Sequence, residues 1–273
     1  MKLAFSTLGC PAWDLDMILR NAAHMGFDGV ELRGLGQTLD ITSLPEFTRD
    51  REMTRRKFAD AGIDVVCLSS SVRMSEPDGK KRAEHLDELK RYAELCAVFG
   101  TPNIRVFGGE VGEQPWEQAI DEAAGTLEKM IVAISDFPAR IIVETHDDWQ
   151  KGAHFHQLMK LVNSDKAGIL WDVNHPFMFI GEDPFETWAQ AGPWIHHTHW
   201  KDSKIVVDTV MGFEPCLMGE GDLPHDMIYE VLRRGGYAGY LSLEWEKRWH
   251  PDLPDPEIAF PQFIQYMKKL MAV

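Results

Sequence analysis

Short apolar runs alternate with stretches of helical spacing from one end of the chain to the other. KLAFSTL reads as a strand. DLDMILRNAAHM after it puts Leu15, Ile18, Leu19, Ala22, Ala23 and Met25 on one helical face, with Asp14 as N-cap and Gly26 as stop. GVELR reads as a second strand, a polar helix follows over 45–61, and DVVCLSSS is a third strand. A helix over 81–99 carries Leu86, Leu89, Tyr92, Ala93, Cys96 and Phe99 on one side and stops at Gly100. NIRVFGG is the fourth strand, followed by a helix over 115–137. In the second half RIIVETH, GILWDV, IHHTHW and GYLSLEWE are strands five to eight. Helices over 153–163, near 184–190, over 224–235 and over 256–271 follow them, with a long loop after the seventh strand.

Eight such units without a Ser-rich or Pro-rich linker predict an α/β fold, a single (β/α)8 TIM barrel spanning 1–273. A doubly wound open sheet would want a Gly-rich phosphate turn after the first strand, and STLGCPAW does not match one. The length suits a barrel, and 44% hydrophobic residues supply a large core.

Charge narrows the partners. The net charge of −15 repels phosphate backbones, so nucleic acid is not expected. No apolar stretch reaches the length of about 18 residues that a membrane span needs. Cys10, Cys67, Cys96 and Cys216 lie far apart and form no CxxC pair, which suits reduced thiols in a cytoplasmic protein.

In a barrel of this kind the C-terminal strand ends converge on the active-site face. Glu144, Asp172, His199 and Glu244 occupy that position on strands five to eight, and Glu31 occupies it on strand two. A carboxylate at a buried strand end needs a counter-charge or a metal. Two Glu, one Asp and one His suit a single divalent cation, Mn²⁺, Mg²⁺, Co²⁺ or Zn²⁺. Strand alternation puts His197 and His199 on one face, so His197 is the alternative ligand. His175, three residues past Asp172, is a candidate to orient a substrate oxygen or to serve as an extra ligand. His146 points the same way as Glu144, and Lys201 is a candidate donor to a substrate hydroxyl or a carboxylate. Arg105, inside an apolar run, is expected to face a carboxylate, and Trp249 is a candidate to stack on a sugar ring. Aromatic residues in 177–188 and 245–261 suit either a lid or a contact in a homo-oligomer.

The segments VETH, WDVNH, HTHWKD and GEGDLP, with GYLSLEWEKRWHP, resemble the sugar phosphate isomerase/epimerase family, the xylose isomerase-like TIM barrels of the AP endonuclease family 2 superfamily. The resemblance runs over essentially the whole chain. It implies one metal, Mn²⁺ foremost, on Glu144, Asp172, His199 and Glu244, with Glu144 and Glu244 also exchanging protons with substrate and His175 binding it. Two departures set the chain apart from the ketose 3-epimerase branch: Ile205 stands where that branch has Arg, and Gln150 where it has Glu. The trinuclear DNA-repair branch needs histidines after strands three and four, where this chain has SSSVR and FGGE.

The expected function is therefore a metal-dependent isomerase or epimerase of a small carbohydrate, acting through a metal-stabilised enediolate. A lyase using the same site is the alternative, and a non-catalytic sugar-binding barrel stands behind both. Gly219 and Gly221 in the loop after strand seven are flanked by Glu220 and Asp222, which disfavour a dianion, so the substrate is expected to be unphosphorylated.

Overall fold

Eight parallel strands close on one another in the order β1-β10-β7-β6-β5-β4-β3-β2, in a computed structural model that describes residues 1–207 and 212–272. These strands are β1 (Lys2–Ser6), β2 (Gly29–Leu32), β3 (Asp64–Ser75), β4 (Asn103–Gly109), β5 (Arg140–Glu144), β6 (Ala167–Asp172), β7 (Ile195–Trp200) and β10 (Tyr240–Leu243). The outer helices are α1 (Leu15–Met25), α2 (Arg51–Ala61), α3 (Gly79–Phe99), α4 (Trp116–Ala133), α5 (Gly152–Val162), α6 (Asn174–Ile180), α7 (Pro184–Ala191), α8 (His225–Arg234) and α9 (Pro256–Met271). The TIM barrel expected from the alternating pattern is the observed fold.

Each strand turns one set of side chains out to the helices and the other into the barrel. Ile141 and Val143, Ile169 and Trp171, and Leu241 and Leu243 belong to the large core shared with the helices. Ile142 and Leu170 belong instead to a small separate cluster with Ala4, Val66 and Cys67. Alternation then carries Glu144, Asp172 and Glu244 inward, two residues beyond Ile142, Leu170 and Ser242. The inward set turns polar toward the C-terminal strand ends, which is where the chemistry collects.

Three local features differ from the sequence expectation. The helix expected over 45–61 is broken: Pro45–Phe47 forms a 3₁₀ turn and α2 restarts at Arg51. The Thr48 hydroxyl donates to Leu44 O at 2.8 Å, a local bond that competes with helix propagation. The long loop after β7 contains a hairpin, β8 (Asp202–Ile205) antiparallel to β9 (Phe213–Cys216). Helix α6 begins just past Asp172, with Pro176 in its first turn, where a missing N–H costs no hydrogen bond. Elsewhere the ends fall where the caps place them: Asp14 accepts from Met17 N–H, and Gly26 and Gly100 are left-handed.

The last helix seals the barrel wall. Phe260 is fully buried, with its ring centroid 4.5 Å from that of Phe5, 5.5 Å from Trp13 and 5.9 Å from Phe27. Phe260→Ala is expected to cost about 3–5 kcal/mol through lost contacts and the cavity left behind. Denaturant titration of the folded variant checks this.

Candidate metal centre

Glu144, Asp172, His199 and Glu244 come together with one ligand atom from each lying within 4.8 Å of all the others. They sit at the ends of β5, β6 and β7 and immediately past β10, and all four are buried. The register aligns Asp172 with His199, and His199 with Ser242.

The first link is the orientation of His199. Its Nε2 lies 2.9 Å from both Glu31 oxygens, and its Nδ1 lies 3.0 Å from Glu144 Oε1 and 3.3 Å from Glu244 Oε1. The Glu31 carboxylate therefore favours the proton on Nε2 and leaves Nδ1 to face the acidic cluster. Burial opposes a charge on this imidazole, yet Glu244, Glu31 and Glu144 hold its pKa well above the ordinary value. The same negative field that draws a proton there would draw a cation.

Glu31, near the end of β2, is fully buried. Its oxygens accept from Ser69 Oγ at 2.7 Å and Ser242 Oγ at 3.2 Å, and His197 Nε2 lies 2.8 Å away. Glu31, His197 and His199 form a second cluster with metal-like spacing. Four hydrogen-bonding partners around one carboxylate make this a support beneath His199. His197 thus points to Glu31 and away from the three acids. Glu31→Gln is expected to lower divalent-cation affinity about 10- to 100-fold while the fold persists, checked by titration calorimetry with circular dichroism as control.

Charge balance explains the remaining neighbours. Lys201 Nζ lies 2.6 Å from Glu244 Oε2, 2.9 Å from Asp172 Oδ2 and 3.0 Å from Glu246 Oε1. Burial opposes its charge, but Asp172, Glu244 and Glu246 raise its pKa well above the ordinary lysine value. Glu246 is held down at about 2, burial being outweighed chiefly by the Lys201 charge. Arg105 is buried, as an inward-facing arginine should be, with Nε 3.3 Å from Glu144 Oε2 and Nη1 donating to Ser70 O at 3.0 Å. Burial raises the Glu144 carboxyl, and Arg105 and His199 together bring it below its ordinary pKa.

Two histidines edge the cluster. His175 Nδ1 lies 2.8 Å from Thr145 O; a carbonyl only accepts, so Nδ1 carries the proton and Nε2 remains an acceptor. Burial keeps this imidazole neutral, below its ordinary pKa. The His146 ring packs edge-on at 4.6 Å from His175 and 4.9 Å from Phe107. Burial opposes its charge, but Asp147 at 2.8 Å and the Glu144 charge raise its pKa. Trp249 stands apart, half exposed, with its ring 5.5 Å from the Arg248 guanidinium. Sequence reasoning missed Glu246 and Arg33. The signal for each was at hand: Glu246 follows Glu244 by two, and Arg33 closes the VELR run as Arg105 interrupts NIRVF.

The donor set fits a divalent cation on two observations. Three carboxylates and one imidazole nitrogen converge in a buried space, which is the ligand chemistry of Mn²⁺, Mg²⁺, Co²⁺ or Zn²⁺. Glu144 Oε2 and Asp172 Oδ2 are also buried without a hydrogen bond, although Arg105 and Lys201 lie within ion-pair distance.

Comparison with known proteins agrees with this architecture. The chain is 26% identical over 247 residues to a 3-dehydroshikimate dehydratase of Bacillus anthracis, covering 84% of each chain. It is 22% identical over 271 residues to the L-ribulose-5-phosphate 3-epimerase UlaE of Shigella flexneri, covering 93% of this chain and 89% of the other. The crystal structure of IOLI protein with a bound zinc atom superposes with a TM-score of 0.79 at 21% identity, over 100% of this chain and 97% of the other. These sequence relatives are enzymes, and the chain is an enzyme of the same broad kind. Residues 19–270 match the family described as xylose isomerase-like TIM barrel, and the chain belongs to that family.

Proposed function

We propose that the chain is a divalent-metal-dependent isomerase or epimerase acting on a small unphosphorylated polyhydroxy ketone: a ketose, an inosose or a keto sugar. The observation that carries this reading is the convergence of Glu144 and Glu244 on His199 Nδ1, within one buried ligand set. Glu144, Asp172, His199 and Glu244 would hold the cation, with Mn²⁺ the first choice and Mg²⁺, Co²⁺ or Zn²⁺ the others. When bound, it would polarise the substrate carbonyl and offset the negative charge that develops on oxygen.

The protein groups do the rest. One of the two glutamates removes the proton alpha to the carbonyl, and the other returns a proton to the opposite face or to the neighbouring carbon. Lys201, clasped by Asp172, Glu244 and Glu246, keeps a positive charge beside the reacting oxygens. His175 Nε2 is free to accept from a substrate hydroxyl, and Phe179 packs against the His175 ring at 5.4 Å.

An unphosphorylated substrate is supported by Asp202. Its Oδ2 accepts from the Gly219 and Gly221 N–H groups at 2.8 and 3.0 Å, and its Oδ1 from Ser203 N–H at 2.9 Å. The backbone donors after β7, where barrels often hold phosphate, are engaged by the protein's own carboxylate. The epimerase relative is named for a phosphorylated pentulose, so the two chains are expected to differ here.

A dehydratase reading has equal footing, because the same proton abstraction can expel a hydroxyl on the next carbon. His146 favours it: Asp147 and the Glu144 charge hold its imidazole toward the protonated form, which supplies a proton for a leaving hydroxyl. A relative named as a dehydratase points the same way. The test is to incubate Mn²⁺-loaded protein with ketoses, inososes and cyclic keto-polyols in heavy water and follow carbon-bound protons by NMR. Deuterium entry with isomerised product is the expected result for the first reading, and a product lighter by water decides for the second. Neither exchange nor conversion across the panel would sink both.

A further inference from the structure

We propose that Arg33 forms an anion subsite across the barrel mouth from the metal ligands, and that the substrate carries a carboxylate there. This inference rests on the proposed function and names the substrate class within it. Arg33 follows β2 directly, at the C-terminal strand end, where side chains meet the active-site face. It is only 6% exposed, yet its one side-chain hydrogen bond is Nη1 to Ser71 Oγ at 3.0 Å. Among the described residues no carboxylate lies within ion-pair distance of it, in contrast to Arg105, which has Glu144 at 3.3 Å. Its other N–H groups are not among the sealed, unpartnered atoms of the protein, so they keep access to a ligand.

The surroundings add a second positive charge, while the nearby acids stay outside ion-pair distance. Arg33 and Arg105 both lie against the Phe107 ring, 5.9 and 3.9 Å from its centroid, and Phe107 in turn packs on His146 at the edge of the metal cluster. Burial, and then the Arg105 charge, lower the Arg33 guanidinium to about 10, the behaviour of a cation short of a counter-ion. Glu88 and Glu144 act on Arg33 only from a distance, and Glu88 Oε1 accepts from Ser71 N–H at 2.7 Å. A planar guanidinium with free parallel N–H groups matches a carboxylate in a two-point contact. A buried arginine of this kind is costly to keep unpaired, and a substrate carboxylate supplies the missing charge.

The test uses matched ligands that share a carbon skeleton: L-sorbose, 5-keto-D-gluconate, which carries a carboxylate at the end remote from the ketone, and L-sorbose 6-phosphate, together with their stereoisomers. Binding to the Mn²⁺-loaded enzyme is measured by calorimetry. The acid is expected to bind roughly 10- to 100-fold more tightly than the neutral ketose, the range of a charge-assisted hydrogen-bonded contact. Arg33→Gln is expected to erase that preference and leave neutral ketose binding within about 3-fold, and Arg33→Lys to keep part of it. Equal binding of acid and neutral ketose, retention of the preference in Arg33→Gln, or a preference for the phosphate overturns the carboxylate subsite. Failure of every ketose and keto acid to bind overturns the polyhydroxy-ketone reading itself, a result distinct from the others.

Discussion

Stripping the protein with a chelator is expected to abolish proton exchange at the substrate carbon, and adding back Mn²⁺ to restore it. The cause is electrostatic. Three carboxylates with ligand atoms within 4.8 Å of one another repel by about 3 kcal/mol per pair at an effective dielectric near 20. Lys201, Arg105 and a proton on His199 bring counter-charges to these acids but leave Glu144 Oε2 and Asp172 Oδ2 without a hydrogen bond. A divalent cation held by Glu144, Asp172, His199 and Glu244 would bind the folded protein and not the unfolded chain, so its removal is expected to be felt in stability as well as in activity. With the cation at about 1,000 times its dissociation constant the linkage is about 4 kcal/mol, or a rise in melting temperature of roughly 8–16 °C. Calorimetric scans with and without Mn²⁺ and metal analysis of the stripped protein measure both parts. A melting temperature indifferent to every divalent cation would count against a metal at this cluster.

The barrel and the convergence of these four residues are legible in the chain for one physical reason. Strands β5 and β6 keep strict alternation: Ile142 and Glu144 face in while Ile141 and Val143 face out, and Leu170 and Asp172 repeat the pattern on β6. A pattern with period two shows both the strand and the face. The His197 and His199 pair is harder, because alternation puts both inward and only Glu31, distant in sequence, separates them. Helix ends are legible where a glycine takes a left-handed conformation, as at Gly26 and Gly100. The break at Thr48 and the hairpin of β8 and β9 are not, since each depends on short local hydrogen bonds and pairing that a helical or loop pattern does not encode. The network around Lys201 is hidden for a different reason. A lysine beside a strand end looks like a solvated surface residue until three acids from β6 and the segment after β10 are seen to surround it.

Glu144→Gln and Glu244→Gln are each expected to lower turnover by about 10²- to 10⁴-fold, the usual reach of a general acid or base, but to fail at different steps. The two carboxylates share His199 through one oxygen and differ in what holds the other. Glu244 Oε2 is clasped by Lys201 at 2.6 Å, and burial of Glu244 is outweighed by the His199 and Lys201 charges, which keep it well below the usual carboxyl range. Glu144 Oε2 faces Arg105 at 3.3 Å without a hydrogen bond, so its lone pairs are not engaged by a donor. The less tightly held carboxylate is the better base, which assigns the first proton abstraction to Glu144 and the return step to Glu244. In heavy water, then, Glu144→Gln is expected to stop deuterium entry into recovered substrate together with product formation. Glu244→Gln is expected to lose product formation while recovered substrate still gains deuterium at a reduced rate, because Glu144 can remove a proton and give a solvent deuteron back to the same face. Metal content of each variant separates these outcomes from simple loss of the cation, since glutamine retains a carbonyl oxygen and three ligands remain. The reverse pattern, with exchange surviving in Glu144→Gln and vanishing in Glu244→Gln, would exchange the two roles and leave the shared site intact.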